Sequence, residues 1–162
     1  MPVDENSRVE FNVHRKNRDK VVSGTFKGLK GEIVFNPEAL NNSFFNVSIA
    51  DSTVHSGNEQ RDHDLKDRAF FNAREYPYIT LLSTRIKKSN TDGFYLLNGD
   101  LNIKGISKPV VIAFKATKDM DDKGYVFTGL LRINRFDFDL GSGDNAFEKE
   151  VIISLTVFAK SE

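Results

Sequence analysis

The chain has 162 residues, with 23 basic and 23 acidic side chains and a formal net charge of zero at pH 7. This balance gives no support for a nucleic acid or an anionic membrane as a partner recognised by bulk charge. The absence of cysteine excludes disulfides, thiol nucleophiles and cysteine-based zinc sites. The length predicts one domain spanning 1–162 with a single core. Fourteen phenylalanines supply large apolar side chains, which suit either a packed core or an apolar cavity.

Alternation of apolar and polar residues with a period of two predicts strands in the first third of the chain. A first strand is predicted over 8–14, followed by a polar turn or loop over 15–20. Two more strands are predicted over 21–27 and 31–35, on either side of a connection at 28–31. Asn36 and the proline after it predict a short helical turn over 36–39, which ends at 41–43. Another alternating face follows, formed by Phe45, Val47 and Ile49.

The alternation stops over 53–77, which predicts a helical insertion that closes one end of a β structure. Ser56 with Glu59 three residues later has the form of a capping box, and Asn72 with Glu75 has the form of a weaker one. Apolar side chains are expected on one side of the short helix: Leu65, Ala69 and Phe70.

Strands return after this insertion and continue to the end of the chain. They are predicted over 79–88, 95–103, 110–114, 125–140 and 151–157, with turns at 90–93, 105–109 and 119–124 and a loop over 141–145. The apolar residues change parity near Asn134 and Arg135, which predicts a β-bulge there. Eight or nine strands joined by short turns predict an all-β fold, an antiparallel barrel with a short helical cap inserted between strands.

Several motifs, in a common order and spacing, carry a resemblance to a known family. They are Thr53-Val54-x-Ser56-Gly57-Asn58-Glu59-x-Arg61-Asp62-x-x-Leu65, Phe70-Phe71, Tyr76-Pro77-x-Ile79, Gly99-Asp100-Leu101-x-Ile103-x-Gly105-x-x-Lys108-Pro109-Val110 and Asn134-Arg135-Phe136-Asp137-Phe138. The set resembles the YceI-like family of bacterial proteins, described as polyisoprenoid-binding with a lipocalin-like barrel, and spans nearly the whole chain. Asp64 departs from the pattern, because the family often has histidine there; in this chain His63 lies one residue earlier.

An eight-stranded barrel is either filled by its own side chains or holds one slim ligand. Gly99 and Gly129 have inward parity and leave room in the middle, although glycine is equally common where a strand bends. The resemblance favours a cavity. The expected lining of an apolar tunnel is Phe11, Val13, Phe45, Val47, Leu101, Ile112, Phe127, Gly129 and Ile153.

Polar contacts to a ligand head group are expected at the barrel mouth, from Asn58, Arg61 and His63. The alternative for Arg61 and Asp62 is a structural pair that fixes the helix to a strand end. Arg135 is expected outside the barrel at the bulge, because an uncompensated buried charge is costly. Its alternative is an inward position near a ligand head or Asp137.

The sequence predicts non-catalytic binding and transport of an elongated apolar molecule, which the resemblance narrows to a polyisoprenoid, isoprenoid quinone or related lipid. The alternative is a scaffold or stress-related barrel with a filled core that binds a protein through its loops.

No nucleophile–base pair or metal set stands out among the histidines and carboxylates of 55–64, so neither catalysis, a metal nor a cofactor is expected. No transmembrane segment is predicted, and the sequence is compatible with a homodimer. Val3-Asp4 resembles the end of the first strand in the family pattern, so the resemblance implies that the chain begins within an element. We therefore expect a periplasmic or secreted protein if an export signal was removed, and a cytoplasmic one otherwise.

Overall fold

Eight antiparallel strands close into a barrel in the computed structural model, which describes residues 1–16, 20–118, 124–143 and 146–160. The strands are β1 (Arg8–Arg15), β2 (Val21–Val34), β3 (Phe44–His55), β4 (Tyr78–Lys88), β5 (Phe94–Ile103), β6 (Ile106–Lys118), β7 (Gly124–Asn134) and β8 (Phe147–Lys160). Each strand pairs with the next, and β8 pairs with β1 to complete the ring. The predicted all-β barrel with eight antiparallel strands and a short helical insertion is confirmed.

Four short helical segments accompany the strands in the described part of the chain. The α-helix α1 spans Glu59–Lys66, between β3 and β4. Three 3-10 segments span Asp4–Asn6, Leu40–Asn42 and Arg135–Phe138.

Strand alternation places one apolar row from each strand inside the ring, because successive side chains point to opposite faces. In β1, Val9, Phe11 and Val13 are buried as the pattern predicts. Leu97 of β5 and Ile112 of β6 are among the least exposed apolar side chains, at 2% and 3%. One cluster of buried apolar residues therefore runs around the whole inner wall.

Strand β2 is continuous from Val21 to Val34, so the predicted connection at 28–31 was wrong. Gly28 and Gly31 have φ values of 79° and 127°, and the pairing of β2 with β3 shifts register here. A Cβ on Gly31 would lie 2.1 Å from the Asn46 carbonyl oxygen, so only glycine fits this approach of the two strands. The glycines bend one strand and do not separate two.

The turn after β2 also differs from the prediction. The Asn36 side chain accepts a hydrogen bond from the Glu38 N–H at 3.0 Å, as a local turn requires. The helical segment forms later, as the 3-10 helix Leu40–Asn42. The predicted break at 41–43 therefore overlaps the helix itself.

The helical insertion begins later than predicted, because β3 continues to His55. Gly57, with φ 82°, turns the chain, and Asn58 caps α1 by accepting a hydrogen bond from the Arg61 N–H at 3.0 Å. The capping box predicted at Ser56 was therefore wrong. The second box was also wrong: Asn72 has φ 49° and donates its side-chain amide to Glu75 within a turn, where no helix follows.

No bulge interrupts β7, where one was predicted near Asn134. The β7–β8 pairing is regular from Gly124 opposite Lys160 to Asn134 opposite Glu150. The change of parity arises because the 3-10 helix Arg135–Phe138 follows the strand directly.

The predicted connections are found in part. A turn is present at 90–93, whereas the one after β5 is shorter than predicted and Pro109 lies within β6. The predicted turn at 119–124 lies outside the described residues except for Gly124, which begins β7. The loops predicted at 15–20 and 141–145 lie outside them in part.

Candidate ligand-binding site

The barrel interior contains a cavity of about 550 Å³, a volume typical of small-molecule sites. Its wall is mainly apolar and comes from all eight strands and α1. The structure brings together in this wall all nine residues predicted for the tunnel: Phe11, Val13, Phe45, Val47, Leu101, Ile112, Phe127, Gly129 and Ile153. The shared parity of the strands is the cause, since inward-facing positions of a closed ring face one space.

The two inward glycines have different roles. Gly129 lines the cavity, and a Cβ there would lie 3.2–3.3 Å from Ala113, Ile112 and Phe114. A Cβ on Gly99 would lie 2.7 Å from the Leu82 carbonyl oxygen, beside the register shift between β4 and β5. Gly99 therefore permits a close approach of two strands. This is the second role considered for an inward glycine, relief of crowding at a bend, and not the opening of space for a ligand.

Aromatic rings fill one end of the barrel, which we call the aromatic end. Phe35, just after β2, lies at 5.0–5.2 Å from the rings of Tyr95, Tyr125 and Phe127, in edge-to-face geometry. Such pairs contribute roughly 0.5–1.5 kcal/mol each beyond area burial. Phe127 also lines the cavity, so the cluster forms its floor.

The opposite end carries α1, and we call it the α1 end. Odd-numbered strands all run toward it, because every neighbouring pair is antiparallel. It therefore gathers the end of β1, the end of β3 with α1, and the 3-10 helix after β7.

Ser56 fixes α1 to the end of β3. Its N–H and hydroxyl both donate to Asp62 Oδ1, at 2.9 and 2.5 Å. Arg61 donates from Nε to the Ser56 hydroxyl at 2.9 Å and from Nη2 to the Ser56 carbonyl at 2.8 Å. Asp62 is buried, with His55 Nδ1 3.8 Å from its second oxygen. Arg61 and Asp62 thus fix the helix to the strand end, each through Ser56.

The predicted polar mouth is found in part. Asn58 and Arg61 line the cavity, together with Gln60 and Asp64. The structure does not bring His63 into this wall: its side chain is 73% exposed and lies near Asp64 and Asp67. Asp64, the position that departs from the resembled pattern, lines the cavity, whereas His63 faces solvent.

Arg135 is buried, so its predicted position outside the barrel was wrong. Its guanidinium donates to the carbonyls of Leu140, Gly141, Phe147 and Glu148, at 2.8–3.2 Å. These acceptors offset the cost of burying the charge, which the prediction had treated as uncompensated. The side chain also borders the cavity at the α1 end.

Gly141 makes the burial of Arg135 sterically feasible. It has φ 65°, and a Cβ there would lie 2.6 Å from the Phe70 ring and 2.7 Å from Arg135 Nη1. Glycine is thus required on both conformational and steric grounds.

Arg15 is a cavity-lining residue that the sequence interpretation missed. It is the last residue of β1 and lies opposite Phe147 of β8. Its guanidinium lies 5.4 Å from the Phe147 ring centroid. The parity of Val9, Phe11 and Val13 extends to residue 15 and would have indicated the inward direction, but the loop was predicted to begin there.

Asp51 of β3 is fully buried, and neither carboxylate oxygen accepts a hydrogen bond from the described residues. Burial raises the pKa of Asp51 from 3.8 to about 6. The backbone N–H groups of Asp51 and Ser52 lie close enough to oppose this rise in part, although neither has the geometry of a hydrogen bond to the carboxylate. Its odd parity matches Phe45, Val47 and Ile49, so the inward direction could have been predicted.

Among the described residues, His63, Asp64 and Asp67 form a group of exposed potential metal ligands. Exposed acidic side chains next to histidine are ordinary on a helix surface and do not by themselves indicate a metal site. Within the same described ranges, we find no helix with the length and apolar character needed to cross a bilayer.

Comparison with known proteins gives a consistent result. The family model described as YceI-like domain matches residues 3–159. Protein YceI of Escherichia coli O157:H7 is 31% identical over 139 residues, which cover 82% of this chain and 71% of that protein. Such identity over most of both chains indicates common descent and a common fold.

Solved structures share the same architecture. BcnA of Burkholderia cenocepacia superposes with a TM-score of 0.90 over 99% of this chain and 100% of that chain, at 22% identity. A domain from Saccharophagus degradans, described as polyisoprenoid binding and implicated in plant cell wall breakdown, has a TM-score of 0.80 over 99% and 97% at 14% identity. At these identities the likeness is one of fold.

Proposed function

This chain belongs to the YceI-like family, and from that premise we propose that its barrel binds and carries one long apolar molecule without chemical conversion. The observation that carries the proposal is the apolar cavity of about 550 Å³, enclosed by the strands and floored by aromatic rings. A barrel filled by its own side chains, as the scaffold alternative requires, would leave no such space.

The volume sets a scale for the ligand. At ~30 Å³ for each water-sized group, a cavity of about 550 Å³ accommodates about 18 of them. Ten buried methylenes would contribute on the order of 8 kcal/mol before the costs of association. The apolar chain would therefore supply most of the affinity, and a polyisoprenoid or isoprenoid quinone, as the family resemblance implies, is our proposed ligand class.

We also propose that the protein transports its ligand between compartments and acts in the periplasm. A carrier needs a ligand space that opens, and the cavity reaches the polar wall at α1. Fractionation of the source cells, followed by detection of the protein with an antibody, tests the compartment directly.

Native mass spectrometry of gently purified protein tests ligand binding. We expect a population heavier than the apoprotein by the mass of one lipid, which dissociates on activation. Gly129→Phe should abolish this population while the barrel remains folded, since Gly129 lines the cavity.

Gly143→Phe is the matched control, because no atom of the described residues beyond its chain neighbours lies within 4 Å of where a Cβ on Gly143 would stand. This variant should keep the bound lipid. Unchanged lipid in folded Gly129→Phe, or no uptake of any isoprenoid by the natural chain, would overturn the proposal.

A further inference from the structure

Three arginines stand out in the wall of a mainly apolar cavity. The charged side chains among its described lining residues are Arg15, Arg61, Arg135 and Asp64. Cations therefore outnumber anions by three to one among these side chains. All of them lie at the α1 end, because β1, α1 and the segment after β7 meet there.

The three arginines differ in how far their donors are used. Arg135 is committed to backbone carbonyls, which hold it in place. Arg61 uses Nε and Nη2 on Ser56, and its Nη1 makes no hydrogen bond within the described part of the chain. Arg15 makes no side-chain hydrogen bond to any described residue and rests near the Phe147 ring. Donors of two guanidinium groups thus remain available beside the cavity.

Among the described residues, no acidic side chain forms a salt bridge with Arg15 or Arg61. The Asp62 carboxylate, next to Arg61 in sequence, is engaged by Ser56 and lies near His55. Asp64 accepts from Gln60 and lies within 4.0 Å of His63. A guanidinium with free donors at the edge of an apolar, poorly hydrated space favours an anionic oxygen, because charge-assisted hydrogen bonds are stronger than neutral ones.

We propose that Arg15 and Arg61 bind the anionic head group, a phosphate or a carboxylate, of a single-chain lipid whose tail fills the cavity. This inference rests on the proposed function and narrows its ligand class to anionic amphiphiles. The tail lies toward the aromatic end and the head remains at the α1 end.

Paired ligands separate the head from the tail. We would measure dissociation constants for geranylgeranyl phosphate against geranylgeraniol, and for hexadecanoate against hexadecanol. The natural chain should bind at least one anion about tenfold to a hundredfold more tightly than its alcohol, the factor expected for one charge-assisted hydrogen bond. The ligand pair with the larger ratio of the two dissociation constants shows whether phosphate or carboxylate is the preferred head group.

Arg15→Gln should remove most of this preference and leave the affinity for the alcohols unchanged. Arg61→Gln should also weaken the anions, and its unfolding midpoint would reveal any loss of the Ser56 contacts. Arg85→Gln is the control, because Arg85 is an exposed cation of β4 outside the cavity lining. It should alter no dissociation constant.

The outcomes distinguish the two proposals. Equal affinities for anion and alcohol, or equal losses of both in Arg15→Gln, would refute the head-group site while apolar binding stands. Binding of none of the four ligands would refute both. A preference lost in Arg15→Gln and kept in Arg85→Gln supports the site.

Discussion

The buried carboxyl of Asp51 predicts a specific dependence of stability on pH. Asp51 is fully buried without a hydrogen-bond partner among the described residues, and burial raises its pKa from 3.8 to about 6. Above pH 6 the folded protein holds a buried negative charge that the unfolded chain would hold in water. Below pH 3.8 the group is protonated in both states and the cost vanishes. The contribution of Asp51 therefore lowers stability as pH rises between these two values.

The magnitude follows from the shift. A rise from 3.8 to about 6 is about two units, and at 1.36 kcal/mol per unit this gives a cost on the order of 3 kcal/mol in the free energy of unfolding at neutral pH. Asp51→Asn keeps the shape and removes the charge. The variant should thus match the natural chain near pH 4 and exceed it by about 3 kcal/mol near pH 8.

Urea unfolding of both proteins, at intervals between about pH 4 and pH 8, measures the difference directly. Using the difference between variant and natural chain cancels the titration of every other group. Asp92→Asn is the control, since Asp92 is exposed in the β4–β5 turn, where asparagine is equally suitable. A stability difference for Asp51→Asn that is constant across the range would refute the argument.

The remaining predictions concern Arg135 and His63. Arg135→Lys should lower the free energy of unfolding by about 2 kcal/mol, since a lysine cannot reach four carbonyls and leaves buried acceptors unpaired. Urea unfolding measures this loss. Arg132→Lys, at an exposed position, is the control and should change the free energy of unfolding little. Equal small effects of both substitutions would show that the Arg135 contacts do not stabilise the fold. The proposed carrier role also predicts that purified protein returns geranylgeranyl phosphate unchanged by mass spectrometry, and conversion that His63→Ala abolishes would contradict this.

Parity explains how much of the site could be predicted from the sequence. Residues two apart in a strand share a face, and a closed ring directs one face of every strand to a single space. Phe11, Ile112 and Ile153 could therefore be assigned to a common wall without knowledge of their neighbours. The same rule would have added Arg15 to this wall and indicated that Asp51 is buried, but the predicted alternating segments ended at residues 14 and 49.

The rest depended on conformations that alternation does not encode. Gly28 and Gly31 resemble a turn in sequence, yet their positive φ values bend a continuous strand. Arg135 is buried because four carbonyls, from residues 140, 141, 147 and 148, converge on it when the following loop and β8 fold back. That convergence is set by tertiary structure, so its cost and compensation could not be judged from local sequence.

The two ends of the barrel differ in what would have to move for a ligand to pass. At the aromatic end, Phe35 packs edge-to-face on several rings, and opening it would break all of these contacts together. At the α1 end, a helix of eight residues is held to β3 chiefly by polar contacts around Ser56. Helices this short have little stability of their own, so their position depends on such contacts. We therefore expect exchange at the α1 end, where a tail entering first would leave its head beside Arg15 and Arg61.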